Sequence, residues 1–350
     1  MDYQEEALKP IVTPGLLRRS FLSLRPLVQL VLAAGLLAGL LWRVDLAAVR
    51  DDLERATLWW LPLAFVANLA SDWFRAIRWR EFFRPLVRVD VPFLYATAIV
   101  GVACNIVLPL RAGEVVRTQV LRRRTGLGVS SIVATLLSEK LMDIVAFSVF
   151  VILGIVLYEE AHFMWPLAVA YSAVLVAGIF GARWLARRSQ ESPHLEAQPE
   201  GRWRAWIAVE LRSFGHGLQA FRNTRAMVTI VWASIAAWLC EAGMYWASGE
   251  ALGLDLPPAV YLLTVVAATI AVSIPVTQAG LGVFELAITG LMVAFGLSES
   301  QAAAFAIFSH VMLAVPYMAS GPLAAFALKL NLSDILFLRA DRDPAPAADA

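Results

Sequence analysis

Residues 91–124 read VPFLYATAIVGVACNIVLPLRAGEVVRTQVLRRR. The apolar run from Val91 to Leu110 is close to the roughly 20 residues a helix needs to cross hydrocarbon. It follows Arg75, Arg78, Arg80, Arg84 and Arg88, and it precedes Arg111, Arg117, Arg122, Arg123 and Arg124. Basic residues beside a membrane helix tend to stay on the cytoplasmic face. A single crossing would place one of these arginine sets outside. A hairpin that enters from the cytoplasm, turns between Pro109 and Gly113 and returns through Glu114 to Leu121 keeps both sets inside.

The rest of the chain supports a membrane setting. It has 350 residues, 59% hydrophobic and 16% charged, against about 25% charged in soluble domains. The apolar residues fall in blocks at approximately 27–42, 58–77, 91–110, 130–157, 164–184, 227–249, 258–275, 283–297 and 300–328. Segments of about ten residues with alternating polarity would mark a membrane β-barrel. They are absent, and helices are the other way to satisfy backbone polar groups in lipid. Leu27 to Trp42 is followed by Arg43 rather than a cleavage site, so it reads as a retained helix. Cys104 and Cys240 lie within apolar blocks and lack metal-ligand spacing, so neither a disulfide framework nor a metal site is expected. A net charge of +1 gives no argument for nucleic acid, and neither a cofactor nor a catalytic constellation is recognised.

Charge then orders the blocks. Lys9, Arg18, Arg19 and Arg25 keep the arm 1–26 inside. Glu159 and Glu160 mark an outer loop, the arginines between Arg187 and Arg225 an inner one, and Glu250 and Asp255 an outer one. Blocks 258–275 and 283–297 are joined by the short apolar link Pro275 to Gly282 and read as a second hairpin, entering from outside. Lys329 returns the chain to the cytoplasm. The expectation is an all-α polytopic membrane domain at 27–330 with about six spans and two re-entrant hairpins, both termini being cytoplasmic. The repeats, about 27–157 and 164–328, share one order (span, span, hairpin, span) in opposite orientations. The turns also look alike: Leu108-Pro109-Leu110-Arg111 beside Ile274-Pro275-Val276-Thr277. Inverted repeats with paired broken helices point to alternating access around a midplane site. Residues 202–223 have helical apolar spacing with interspersed arginines, suiting a helix on the cytoplasmic leaflet or one packed on protein. The tail 331–350 is expected to be disordered.

Charges at membrane depth are costly and mark candidate sites. Arg111, Glu114 and Arg117 recur every three residues on the returning half-helix. Its N-terminal amides, around Gly113, together with a guanidinium would suit a phosphate. Alternatively, the ion pairs pin the hairpin. Glu139 and Asp143 share a face of the next span, with Lys140 pointing elsewhere. They would carry a proton or neutralise an arginine. In the second hairpin, Thr277 and Gln278 lie beside Gly280 and Gly282, which permit a tight turn. Glu285, one turn on, would cap the half-helix, carry a proton or pair with an amine. Arg75 and Arg78 read chiefly as side chains snorkelling at the inner interface. Glu241 and His310 read as satisfied core residues.

Asn105, Pro109, Arg111, Gly113, Glu114 and Arg117, then Glu139, Lys140 and Asp143, then Pro275, Thr277, Gly280, Gly282 and Glu285, resemble the lysylphosphatidylglycerol synthase transmembrane-region family. The likeness runs from about residue 25 to about residue 330. Two departures occur: Gln278-Ala279-Gly280 replaces a Pro-Gly-Gly turn, and Lys140 stands where the family commonly has Arg. The resemblance implies an inner-membrane flippase for phospholipids or lipid-linked sugars, with a lipid-synthesis enzyme or glycosyltransferase as a partner and with oligomers allowed. The soluble synthase domain is not expected within this length. Two rival readings stand beside it: an integral-membrane enzyme acting on lipid, and a scaffold for such an enzyme. The enzyme would want clustered histidines or metal-binding carboxylates. His162, His194, His216 and His310 are scattered, so Glu139 and Asp143 form the one carboxylate pair available to it.

Overall fold

The computed structural model describes residues 24–108, 111–190, 223–273 and 276–331. Pro109, Pro275, residues 202–222 of the expected amphipathic segment and the tail from residue 332 lie outside them. Eleven helices are described: α1 (Leu24–Arg43), α2 (Leu46–Glu54), α3 (Leu61–Phe83), α4 (Val91–Val107), α5 (Ala112–Thr125), α6 (Val129–Leu157), α7 (Trp165–Gln190), α8 (Thr224–Ala251), α9 (Pro258–Ser273), α10 (Val283–Ala294) and α11 (Glu299–Ala327). No strand occurs among the described residues. The protein is an all-helical, polytopic membrane protein.

Among the described residues, α6, α8 and α11 qualify as membrane spans by length and composition, and α1 with α2, bent by 94°, makes a fourth if the pair is one span. The sequence expectation was about six. Helix α3 accounts for part of the difference. It runs 23 residues, long enough to cross, but it continues through Asp72, Arg75, Arg78, Arg80 and Glu81. These arginines had been assigned to a cytoplasmic link. They are helical instead, and several are packed against protein.

Helices α4 and α5 form an antiparallel hairpin. Asn105 faces Gly113, Gly101 faces Arg117, and Phe93 lies under the Arg124 guanidinium. Helix α4 has 17 residues, or about 25 Å, short of the roughly 30 Å hydrocarbon core. Its close approach to α5 depends on glycine. A Cβ at Gly113 would lie 1.9 Å from the Gly101 carbonyl oxygen. The chain reverses at Arg111, a non-glycine residue with φ of 55°. Helices α9 and α10 make the second hairpin, and its turn holds Ala279 at φ of 53°. A left-handed backbone at a non-glycine residue costs about 1–2 kcal/mol, so both turns are held by their surroundings.

The packing has an internal two-fold logic. Exchanging α3 with α8, α4 with α9, α5 with α10 and α6 with α11 maps neighbours onto neighbours. Helix α4 packs on α11 as α9 packs on α6, and α3 on α4 as α8 on α9. Helices α3 and α8 pack on each other along much of their length. They run antiparallel, with Trp60 against Trp246 and Phe74 against Trp232, ring centroids 5.3 Å apart in each pair. The largest apolar core joins α6, α8, α9, α10 and α11 around Phe150, Trp238, Tyr261, Phe284 and Phe305.

Candidate functional site

The two hairpin tips touch. A helix C-terminus leaves carbonyls without partners, and here each hairpin supplies donors to the other. The Gln278 side-chain amide donates to the carbonyls of Ile106 and Leu108, both at 2.9 Å, at the end of α4. Arg111 donates through Nη1 to the Ser273 carbonyl, at 3.1 Å, at the end of α9. The amides at the start of α5 are not all free, as the sequence suggested. Gly113 N–H donates to Asn105 Oδ1 at 2.8 Å.

Behind the tips lies a buried ion network, centred where α3 meets α6 and α8. Arg78 is 1% exposed. It donates to Asp143 at 2.8 Å, Ser234 at 3.2 Å and Glu139 at 3.4 Å. Arg117 joins Glu139 at 3.2 Å and Glu114 at 3.6 Å, with its guanidinium 4.3 Å from the Trp79 ring centre. Arg75 pairs with Glu241, approaches Asp72 at 4.0 Å, and lies 4.2 Å from the centre of the Trp238 ring. Trp238 in turn donates to Asp143 at 3.2 Å. Arg75 and Arg78 therefore do not snorkel as expected. Desolvated arginine pays a large penalty unless it is paired, and carboxylates on α6 and α8 supply the pairing. Glu139 and Asp143 do share a face, and that face meets Arg78. Lys140 departs from expectation: it lies 3.7 Å from Asp143 while remaining 61% exposed.

In the second hairpin Glu285 caps its half-helix, accepting from Gly282 N–H at 2.6 Å. Its other oxygen lies 2.7 Å from His310 Nδ1, and His310 Nε2 lies 3.2 Å from the Ala279 carbonyl. Gly282, at φ of 82°, sits where a Cβ would be 2.7 Å from Leu36 of α1. Thr277 is buried, and its hydroxyl has no partner among the described residues.

A cavity of about 220 Å³, partly open to the outside, joins these groups. Its wall includes Arg75, Arg111, Glu114, Arg117, Lys140, Asp143 and Glu241, with Asn105, Thr277, Gln278, Gly280, Tyr245, His310 and Tyr317. Of the candidates named from sequence, Glu139 and Arg78 lie behind this wall. Gly113, Gly282 and Glu285 shape the hairpins that form it. Three groups were missed. Glu241 and His310, read as satisfied core residues, each meet an ionisable partner and also line the cavity. Tyr245 is fully buried, and its hydroxyl has no partner among the described residues. The depth argument applied to Arg111 applied equally to Glu241, which occupies an apolar span. No three-residue group of His, Cys, Asp and Glu suited to a metal occurs among the described residues.

These features define a helical membrane protein in which the tips of two hairpins meet at a charged cavity. The chain belongs to the lysylphosphatidylglycerol synthase TM region family, which it matches over residues 27–321. It is similar to glycosyltransferase AglD of Haloferax volcanii, at 24% identity over 344 residues, covering 88% of this chain and 54% of that protein. It is also similar to a UPF0104 membrane protein of Methanothermobacter thermautotrophicus, at 24% identity over 336 residues, covering 84% of this chain and 95% of the other. The chain thus spans about half of AglD and nearly all of the UPF0104 protein.

Proposed function

We propose that this protein is a translocase that moves a phospholipid or a lipid-linked glycan across the cytoplasmic membrane, by alternating access around its two hairpins. One observation carries the reading: the tips of two helical hairpins hold each other through Gln278 and Arg111 on the wall of a charged cavity. Family membership and the AglD relative support a setting in lipid or lipid-linked glycan processing. Tip contacts of this kind are few and polar, so they can break and re-form without disturbing the apolar core. Arg111, Lys140 and Arg117 would meet a phosphate, and the carboxylates Glu114, Asp143 and Glu241 would meet amine or hydroxyl groups. Arg78 and Glu139 hold that constellation in place. A glycosyltransferase or lipid-synthesis enzyme is the partner proposed, since the AglD relative bears a glycosyltransferase name.

The test is reconstitution in vesicles of phosphatidylcholine and phosphatidylglycerol carrying fluorescent phosphatidylglycerol, with quenching of the outer leaflet. Wild type is expected to make the inner-leaflet probe accessible. Arg111→Ala and Glu114→Ala are expected to stop this while remaining monodisperse. Undiminished movement in both variants would remove the basis for the site. Labelling that puts Arg122 to Arg124 outside would remove the proposed topology.

A further inference from the structure

We propose that His310 and Glu285 form a proton-binding site that latches the tip of the second hairpin. The argument is hydrogen accounting. The Ala279 carbonyl can only accept, so the bond at 3.2 Å requires a hydrogen on His310 Nε2. His310 Nδ1 lies 2.7 Å from Glu285 Oε1. At that distance a ring lone pair and a carboxylate lone pair repel, so one proton lies between them. The other Glu285 oxygen is occupied by Gly282 N–H. The latched pair therefore holds two hydrogens, one on Nε2 and one shared. The Phe284 ring, its centroid 4.3 Å from that of His310, gives a cationic imidazole a favourable face.

Loss of the shared proton to water in the cavity, which His310 lines, leaves a neutral imidazole with one N–H. That hydrogen can serve Glu285 or Ala279, but not both. The bond to an ionised carboxylate is the stronger, so Ala279 loses its donor. Its backbone, at φ of 53°, is then free to relax. Gln278, the adjacent residue, carries the bonds to the first hairpin. One proton thus controls the contact between the tips. Uptake closes the latch and release opens it.

The neighbours of α11 set the electrostatic surroundings. From α10, Glu285 is the partner. From α3 and α8, Arg75 and Glu241 share the cavity and pair with each other. From α4 the cavity wall receives the neutral Asn105. From α5 and α6 come Glu114, Arg117, Lys140 and Asp143, and Arg111 lies at the first turn. On α2, Arg50 and Glu54 pair at the surface. Among the described ion pairs, Glu285 is the one that reaches the His310 ring.

Use of this proton to drive lipid movement rests on the translocase reading, whereas the binding site does not. The test is nitrogen-15 NMR of histidine-labelled protein in phosphatidylcholine–phosphatidylglycerol nanodiscs between about pH 5 and about pH 9, bracketing ordinary histidine titration. His310→Gln assigns the signals. Both ring nitrogens should carry hydrogen at low pH and one should lose it on the way up. In step, hydrogen exchange in residues 276–282, corrected for its intrinsic pH dependence, should rise by about tenfold or more. Glu285→Gln should keep a neutral ring on Ala279 and show no step. A wild-type ring in one fixed state throughout, or exchange that does not follow its titration, overturns the proposal. If the signals titrate but vesicles show no lipid movement, the translocase reading fails and the proton site stands. Movement without titration leaves the opposite result.

Discussion

The Gln278 side-chain amide of one hairpin donates to the Leu108 carbonyl of the other at 2.9 Å. The same amide reaches Ile106, so one side chain closes the end of α4. Leucine at this position would leave both carbonyls without their donor. A buried acceptor left unsatisfied costs about 1–3 kcal/mol, and access of water from the cavity puts this case at the lower end. Gln278→Leu should therefore lower stability by about 1 kcal/mol, read as a drop in unfolding temperature in detergent. A disulfide engineered between the tips should form more slowly. An unchanged cross-linking rate would show that the tips are held by something else.

Arg78 tests the network behind the cavity. Removing one member of a buried ion pair leaves a desolvated charge and costs about 3–5 kcal/mol. Arg78→Met strips Asp143 and Glu139 of their shared donor and should abolish monodisperse protein. Arg78→Lys should give an intermediate yield, because an ammonium cannot fork between two carboxylates as a guanidinium does. Size-exclusion profiles and melting curves check both. Wild-type behaviour in Arg78→Met would mean that the pairing contributes little to the fold.

The helical membrane class was legible because long apolar blocks are a property of the chain itself. The charge pairing along α3 was not. Helix α3 carries charge that a hydropathy count treats as a boundary, and only tertiary pairing with Glu139, Asp143 and Glu241 makes that stretch tolerable. Arg78 shows the point. Read alone, it belongs at an interface. Next to α6 and α8 it is among the most deeply buried side chains. The contact between Gln278 and α4 was also illegible, because it joins residues about 170 positions apart. The local glycine and carboxylate pattern of each hairpin did announce a tight turn.

Gly113 separates shape from chemistry. A methyl group there would overlap the Gly101 carbonyl at 1.9 Å and Asn105 Oδ1 at 2.6 Å. The α4–α5 hairpin would have to part, at a cost of about 1–3 kcal/mol or more. Gly35 of α1 is the control, since nothing lies within 4 Å of a Cβ placed there. Gly113→Ala should lower the unfolding temperature by several degrees. Gly35→Ala should leave it unchanged or raise it slightly, because alanine is the better helix former. Equal melting temperatures for the two variants would contradict the close crossing.

Lys140 distinguishes a ligand-binding cation from a structural one. Arg78 and Arg117 are committed to carboxylates, and Arg111 donates to the Ser273 carbonyl. Lys140 lies 3.7 Å from Asp143 and stays 61% exposed on the cavity wall. An exposed pair of this kind contributes about 0–1 kcal/mol to stability, so Lys140→Gln should melt like wild type. If an anionic headgroup enters the cavity, the lost charge-assisted contact should weaken its binding about tenfold, equivalent to about 1.4 kcal/mol. Native mass spectrometry of phosphatidylglycerol bound to the purified protein, with Lys140→Arg as the charge-preserving comparison, measures this directly. Arginine should retain wild-type binding. If glutamine retains it too, the phosphate contact belongs to Arg111 or Arg117, and Lys140 serves only to neutralise Asp143.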